Sequence, residues 1–144
     1  MKSLLFSTLL CSAIMASFGC SSPVAPAAKF RLERPFPLMV GQTGASVEEE
    51  GFTIKFEKVA ADSRCPKDVE CITAGKADVV LTLSKAGVSE TTTLPFTQTN
   101  GTSNVIDFNG HTVRVVGITP YKLKDKEIKP DGYTITLTVI KTPN

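Results

Sequence analysis

The sequence has no tryptophan, one histidine and, beyond its first twenty residues, two cysteines. Without tryptophan it cannot carry the Cys–Trp–Cys core signature of antibody-type domains. With a lone histidine, His111, some forty residues from the cysteines, it lacks the donors of a tetrahedral metal shell, and no metal or cofactor is expected. An excess of one charge is missing too. Sixteen Lys and Arg face fourteen Asp and Glu, a net charge of +2, which leaves no electrostatic footprint for nucleic acid and no polybasic patch for anionic lipid. Lys122, Lys124, Lys126 and Lys129 alternate with Asp125, Glu127 and Asp131, the pattern of a solvated loop. G-x-S-x-G, a Gly-rich phosphate loop and H-E-x-x-H are all absent. No segment approaches the ~20 apolar residues of a membrane-spanning helix.

What is present at the amino end reads as a targeting signal. Lys2 gives a minimal positive start, and Leu4 to Met15 form an apolar stretch too short to span a bilayer. Cys11 lies inside that stretch, and Cys20 stands at its end behind Ser17-Phe18-Gly19. The small Gly19 suits a lipobox, in which Cys20 is acylated and becomes the mature terminus. Ser17 stands where leucine is usual, so ordinary signal cleavage near Ala25-Pro26-Ala27 is the competing reading. The small, polar, proline-bearing run from Ser21 to Ala28 has the composition of a tether. Ser21 in place of Asp matches the sorting pattern of lipoproteins sent to the outer membrane. The expected organisation is a lipoprotein signal peptide over residues 1–19, an acylated cysteine and flexible tether over 20–35, and one domain over 36–144. Losing residues 1–19 removes one lysine, and the charge falls from +2 to +1.

Strand signals dominate the rest. Phe36 to Val40 is a short apolar run with a proline, suited to a sheet edge. Gly41 to Gly44 reads as a turn, and Gly51 as the left-handed residue of a hairpin. Phe52, Ile54 and Phe56 alternate with polar residues, and Val59-Ala60-Ala61 continues that strand. Ala77, Val79, Leu81 and Leu83 alternate likewise, Ala86-Gly87 turns the chain, and Ser89 to Leu94 returns until Pro95 is expected to end it. Val105 to Phe108 leads to Asn109-Gly110, the strongest hairpin signal in the chain, and His111 to Thr119 returns with Val113, Val115 and Ile118 inward. After a long loop, Tyr133, Ile135, Leu137 and Val139 alternate with Thr134, Thr136, Thr138 and Ile140. Seven or eight short strands of this kind predict an all-β, antiparallel, immunoglobulin-like β-sandwich, with a small β-barrel as the alternative.

Cys65 and Cys71 form an even pair in a chain read as exported, so a disulfide is expected. Closing a loop of about seven residues stabilises by about 2–2.5 kcal/mol on the chain-entropy model. A redox pair would favour C-x-x-C over this C-x5-C spacing. Around the cysteines runs Asp62-Ser63-Arg64-Cys65-Pro66-Lys67-Asp68-Val69-Glu70-Cys71-Ile72-Thr73-Ala74-Gly75. Asp62 and Ser63 can bond turn amides, Pro66 stiffens the backbone, and Gly75 permits tight re-entry into the next strand. Arg64 can pair with Asp62, Asp68 or Glu70, a contact contributing ~0–1 kcal/mol if exposed. Two readings compete: a rigid connection between strands, or a presented loop in which Asp62, Arg64, Pro66, Lys67, Asp68 and Glu70 touch a partner.

The segment resembles a family of small exported bacterial proteins, often lipoproteins, with D-S-R-C-P, a second cysteine, and a glycine before a V-x-L-x-L strand. The resemblance extends from Leu38-Met39-Val40-Gly41-Gln42 to Pro120-Tyr121 and Tyr133 to Leu137. Members often carry tryptophan where this chain has Thr73. It implies export and a β-fold, and no established activity comes with it.

Enzyme chemistry is poorly served. A Ser-His-Asp set would need His111, which follows a hairpin turn and is expected to be a surface residue. Glu48-Glu49-Glu50 sits beside a turn as a solvated edge rather than as paired carboxylates. Asn100-Gly101-Thr102 matches a glycosylation sequon, which belongs to a secretory context that the lipobox contradicts. The expectation is therefore a non-enzymatic binding or accessory module, lipid-anchored in the bacterial envelope at the outer membrane, with an envelope protein as partner. The alternative is an inhibitor of an exported hydrolase that uses the Cys65–Cys71 loop. Nothing in the sequence favours a particular oligomeric state.

The anchor is testable. Cys20→Ser is expected to move the protein from the membrane pellet to the soluble fraction of fractionated cells; continued sedimentation with membranes would count against acylation at Cys20.

Overall fold

The computed structural model describes residues 27–98 and 104–142. The expected signal segment, Cys20, residues 21–26 of the expected tether and the sequon at Asn100 lie outside these residues. Among the described residues the chain forms nine strands: β1 (Ala28–Phe30), β2 (Phe36–Met39), β3 (Thr43–Ser46), β4 (Thr53–Asp62), β5 (Ala77–Lys85), β6 (Val88–Phe96), β7 (Val105–Phe108), β8 (His111–Thr119) and β9 (Thr134–Lys141). They make two sheets, ordered β1-β3-β4-β5-β6 and β2-β9-β8-β7. All neighbours are antiparallel except β1 and β3. The expected β-sandwich is what forms. No helix among the described residues is long and apolar enough to cross a membrane.

The alternation read in the sequence sets which side of each strand faces inward. Ile54 and Phe56, Val79, Leu81 and Leu83, Val113 and Val115, and Ile135, Leu137 and Val139 meet between the sheets with no meaningful exposure. The strongest turns behave as their residues dictate. Ala86-Gly87 and Asn109-Gly110 each have positive φ at both central positions, the type I′ pattern whose twist matches that of a hairpin. On β8 a bulge between Val115 and Gly117 shifts the alternation by one residue, which is why Ile118 points inward.

Three expectations need correction. Strand β1 lies inside the stretch expected to be tether, and the domain begins before residue 36. Phe30 is buried, stacked on Phe36 at 4.4 Å and edge-on to Phe52 at 5.7 Å. The Val47 N–H donates to the Phe30 carbonyl, and the Glu33 N–H to the Val139 carbonyl, so this segment is fastened to both sheets. Three residues of β1 were too few to show a period. Gly44, expected in a turn, is inside β3, where an added Cβ would come within 3.2 Å of Phe30 and 3.3 Å of Leu38; its lack of a side chain makes room for the aromatic stack. Pro95 does not end its strand, and β6 runs on to Phe96. Among the described residues β6 is an edge strand with one side without a ladder partner, and a missing N–H is tolerated there.

If β1 belongs to the folded unit, Phe30→Ala is expected to destabilise the domain by about 3 kcal/mol, read as a lower urea midpoint at unchanged slope. An unshifted midpoint would mean that the segment contributes nothing to the fold.

Candidate functional site

The disulfide loop grows out of the β4–β5 hairpin. Past the last ladder pair, Asp62 with Ala77, the Ser63 N–H donates to the Lys76 carbonyl at 2.7 Å and the Cys65 N–H to the Ala74 carbonyl at 2.9 Å. The Ser63 hydroxyl adds a donor to the Lys76 carbonyl and accepts from the Lys76 N–H. Gly75 makes this neck possible. It has φ +65°, and a Cβ there would lie 1.8 Å from the Ser63 carbonyl oxygen, so no other residue fits without moving backbone. Beyond the neck the Cys65–Cys71 disulfide, with a Cα separation of 6.0 Å, closes the loop as expected. Its sulfurs are thereby withdrawn from thiolate chemistry.

Arg64, expected among the contact residues of a presented loop, is 1 % exposed, and its guanidinium is turned inward. Its Nε and Nη2 donate to the two oxygens of Asp62 at 2.9 and 2.8 Å, while Nη1 donates to the Ile118 carbonyl at 3.0 Å and Nη2 also to the Pro120 carbonyl at 3.2 Å. The Asp62 side chain is nearly buried as well, and also accepts from the Arg64 N–H and the Tyr133 hydroxyl. Burial works against the Asp62 charge, but the Arg64 hydrogen bonds and charge outweigh it and hold the carboxyl below its ordinary value. For Tyr133, burial and then the adjacent Asp62 carboxylate raise the phenol. The sequence allowed Arg64 three acidic partners; the fork goes to the one two residues upstream, because that one shares the interior.

Asp68 and Lys67 dock the loop on the segment after β8. The Lys124 N–H donates to Asp68 Oδ1 at 3.0 Å, the Lys67 N–H to the Lys122 carbonyl at 2.9 Å, and Lys122 Nζ to the Asp62 carbonyl at 2.9 Å. Of the six expected contact residues, Lys67, Asp68 and Glu70 are exposed and Pro66 half-exposed, while Asp62 and Arg64 form the buried root. Sequence reasoning missed Ile72, which is fully exposed on the same loop, and Tyr121 and Val116, both substantially exposed. An apolar residue amid polar neighbours was the available signal for Ile72. Between the loop, the end of β6 and the second half of β8 lies an open groove of about 610 Å³, lined by Pro66, Lys67, Val69, Phe96, Val116 and Tyr121 among others.

At the other end of the sandwich, two further expectations are corrected. His111 is 1 % exposed, packed on Phe52 at 4.8 Å with Nδ1 3.1 Å from the Asn109 carbonyl. Its parity on β8 places it inward with Val113 and Val115. Glu49 is no bystander of a solvated edge. It accepts from Lys85 at 3.0 Å and Lys141 at 3.1 Å, and faces His111 Nε2 at 3.7 Å. The hydrogen bonds from Lys85 and then Lys141 lower its pKa to about 2. This cluster ties the β3–β4 turn to β5, β8 and β9.

The root of the loop makes a strong prediction. Arg64→Met leaves the Asp62 carboxylate buried without its partner, and is expected to destabilise by about 3–5 kcal/mol at pH 7 in urea unfolding. Adding Asp62→Leu is expected to recover much of that loss. Because the folded pKa of Asp62 lies below its unfolded value of 3.8, its contribution is present above that value and fades as pH falls through the folded pKa. Asp62→Asn should therefore differ most from wild type near neutrality and least in strong acid. A pH-independent difference would contradict this assignment.

No family model, curated protein or solved structure matches the chain, so the functional reading rests on this geometry.

Proposed function

We propose that the protein is a non-enzymatic binding module of the bacterial envelope, held to the outer membrane by acyl chains on Cys20, that meets an envelope protein through its disulfide loop. The observation that carries this reading is the contrast within the loop. Its root is a buried guanidinium with every nitrogen hydrogen-bonded, and its outer part presents Ile72, Lys67 and Glu70 to solvent. Ordering a loop on binding costs conformational entropy, and a loop already held by a disulfide, an ion pair and backbone bonds to a neighbouring segment avoids most of that cost. Loops on a stiff scaffold are where recognition concentrates.

The anchor and the fold set the working distance. With β1 starting at Ala28, the seven residues between it and Cys20 reach at most about 25 Å when extended. An acylated Cys20 would keep the domain against the lipid surface, within reach of membrane-bound partners. Several acyl chains hold stably where one holds weakly. The protrusion of Ile72 favours one second reading, an inhibitor that inserts this loop into an exported hydrolase.

Crosslinking with mass spectrometry in intact cells tests the proposal. Adducts to a defined set of envelope proteins are expected in wild type and are expected to vanish in Ile72→Asp, whose exposed position leaves folding untouched. Identical adducts in the two strains would remove the loop from the interface.

A further inference from the structure

The five-stranded sheet ends in a strand unlike the other edges of the sandwich. Strand β1 has three residues, and β2 and β7 have four each, with Pro37 in β2 and Asp107 in β7. Short strands, prolines and charges are the usual means by which a sheet edge avoids pairing with another chain. Strand β6 has nine residues, carries no lysine or arginine, and pairs with β5 from Val88 to Phe96 without a register shift. Among the described residues no strand pairs with its other side. Val88, Ser89, Glu90, Thr91 and Thr93 are exposed. Past the strand, the Thr97 N–H donates to Asn104 Oδ1 at 3.3 Å, and the Asn104 amide donates to the Thr97 carbonyl at 3.4 Å. The two ends of the β6–β7 connection are thus held together, roughly 13 Å along the strand direction from Thr93.

The phase of the ladder decides which groups face the open side. Ala86-Gly87 is a two-residue turn, so its flanking pair, Lys85 and Val88, exchanges both main-chain bonds. Alternate residues Glu90, Thr92 and Leu94 then bond toward β5 as Val88 does. Ser89, Thr91, Thr93 and Pro95 turn their main-chain groups outward. Pro95, with no N–H, falls on the open side, as the intact ladder requires. The side chains do not cover this edge. Ser89 Oγ lies 2.8 Å from Ser84 Oγ, and Thr91 Oγ1 lies 2.9 Å from Thr82 Oγ1, both directed back across β5.

We infer that β6 pairs antiparallel with β6 of a second copy of this chain, joining two five-stranded sheets into one. A two-fold pair of this kind matches residues about a single centre, and the residues choose it. Centred on Glu90, two carboxylates stand directly opposite, which destabilises. Centred on Thr92, Glu90 faces Leu94, and Ser89 meets Pro95, which has no N–H to give. Centres further toward either end shorten the pairing or again bring in Pro95. Centred on Thr91, Ser89 pairs with Thr93 and Thr91 with its own copy, so the outward N–H and C=O of all three are used. Glu90 then faces Thr92, and Val88, 56 % exposed in the single chain, faces Leu94. This self-complementarity singles out a second copy over an unrelated strand. The association uses neither the disulfide loop nor Cys20, and it goes beyond the reading of the loop as a contact surface.

The test follows the isotopically labelled chain, its disulfide intact, by sedimentation velocity and nitrogen-15 NMR over rising concentration. The interface is small, so a dissociation constant of about 0.1–1 mM is expected. The amides of Ser89, Thr91 and Thr93 are expected to shift with concentration, and those of residues 66–72 to stay in place. In a mixture of labelled and unlabelled chains, an isotope-filtered contact between the α-protons of Glu90 and Thr92 is expected to report the register. Thr91→Pro removes an outward N–H without touching the β5 ladder, and is expected to abolish the association. Val88→Lys, at an exposed position, sets an ammonium against Leu94 of the second copy and is expected to weaken it at least about tenfold. A monomer throughout, association with its shifts elsewhere, or a dimer that survives both substitutions would overturn the inference. Shifts at Ser89, Thr91 and Thr93 that come only on adding another envelope protein would also overturn it, and give the edge to a different chain.

Discussion

A single buried guanidinium holds one end of this molecule together. Arg64 leaves the five-stranded sheet just past β4, turns inward, and spends its donors on Asp62 and on two carbonyls of the opposite sheet and its exit. A charge taken out of water is costly unless it is paired and hydrogen-bonded, and here every guanidinium nitrogen donates at least once. The consequence is mutual dependence. Asp62 stays ionised inside because of Arg64, Tyr133 is oriented by Asp62, and the edge of β8 that β7 leaves uncovered finds its donors in Arg64. The disulfide loop inherits its rigidity from that root as much as from its own sulfur bridge.

The opposite end is fastened differently. Glu49 collects Lys85, Lys141 and the buried face of His111, again joining the two sheets, but its ion pairs are reached by solvent. Exposed pairs contribute little each, and salt screens a half-open cluster more than a buried fork. The sandwich thus has a stiff pole bearing the loop and groove, and a softer pole beside the aromatic stack of Phe30, Phe36 and Phe52. A recognition surface gains from standing at the stiff pole, because it meets its partner without first being ordered.

Much of this was legible in the residues. Alternation of period two gave the inward face of β4, β5, β8 and β9, and Ala86-Gly87 and Asn109-Gly110 named their own turns through the positive φ they tolerate. The disulfide followed from an even pair at short spacing in a chain read as exported. Strand β1 escaped because three residues make no period, and the continuation through Pro95 escaped because only the sheet order shows that β6 is an edge. Within the candidate loop the structure separates the members, with Asp62 and Arg64 at the buried root and Lys67, Asp68 and Glu70 exposed. Charge argued that Arg64 and Asp62 should be outside, and apolar Ile72 drew no notice.

What the sequence determined by itself are the properties decided within a few residues: strand phase, hairpin turns, the bridged cysteines and the single-layer logic of inside and outside. The tertiary structure alone decided where Arg64 and Glu49 would lie and what His111 would pack against. Arg64 bonds residues 54 and 56 positions away, Asp62 meets Tyr133 across 71, and Glu49 meets Lys141 across 92. A charged side chain is placed by the balance between losing water and gaining partners. Those partners exist only once distant strands have stopped where they do.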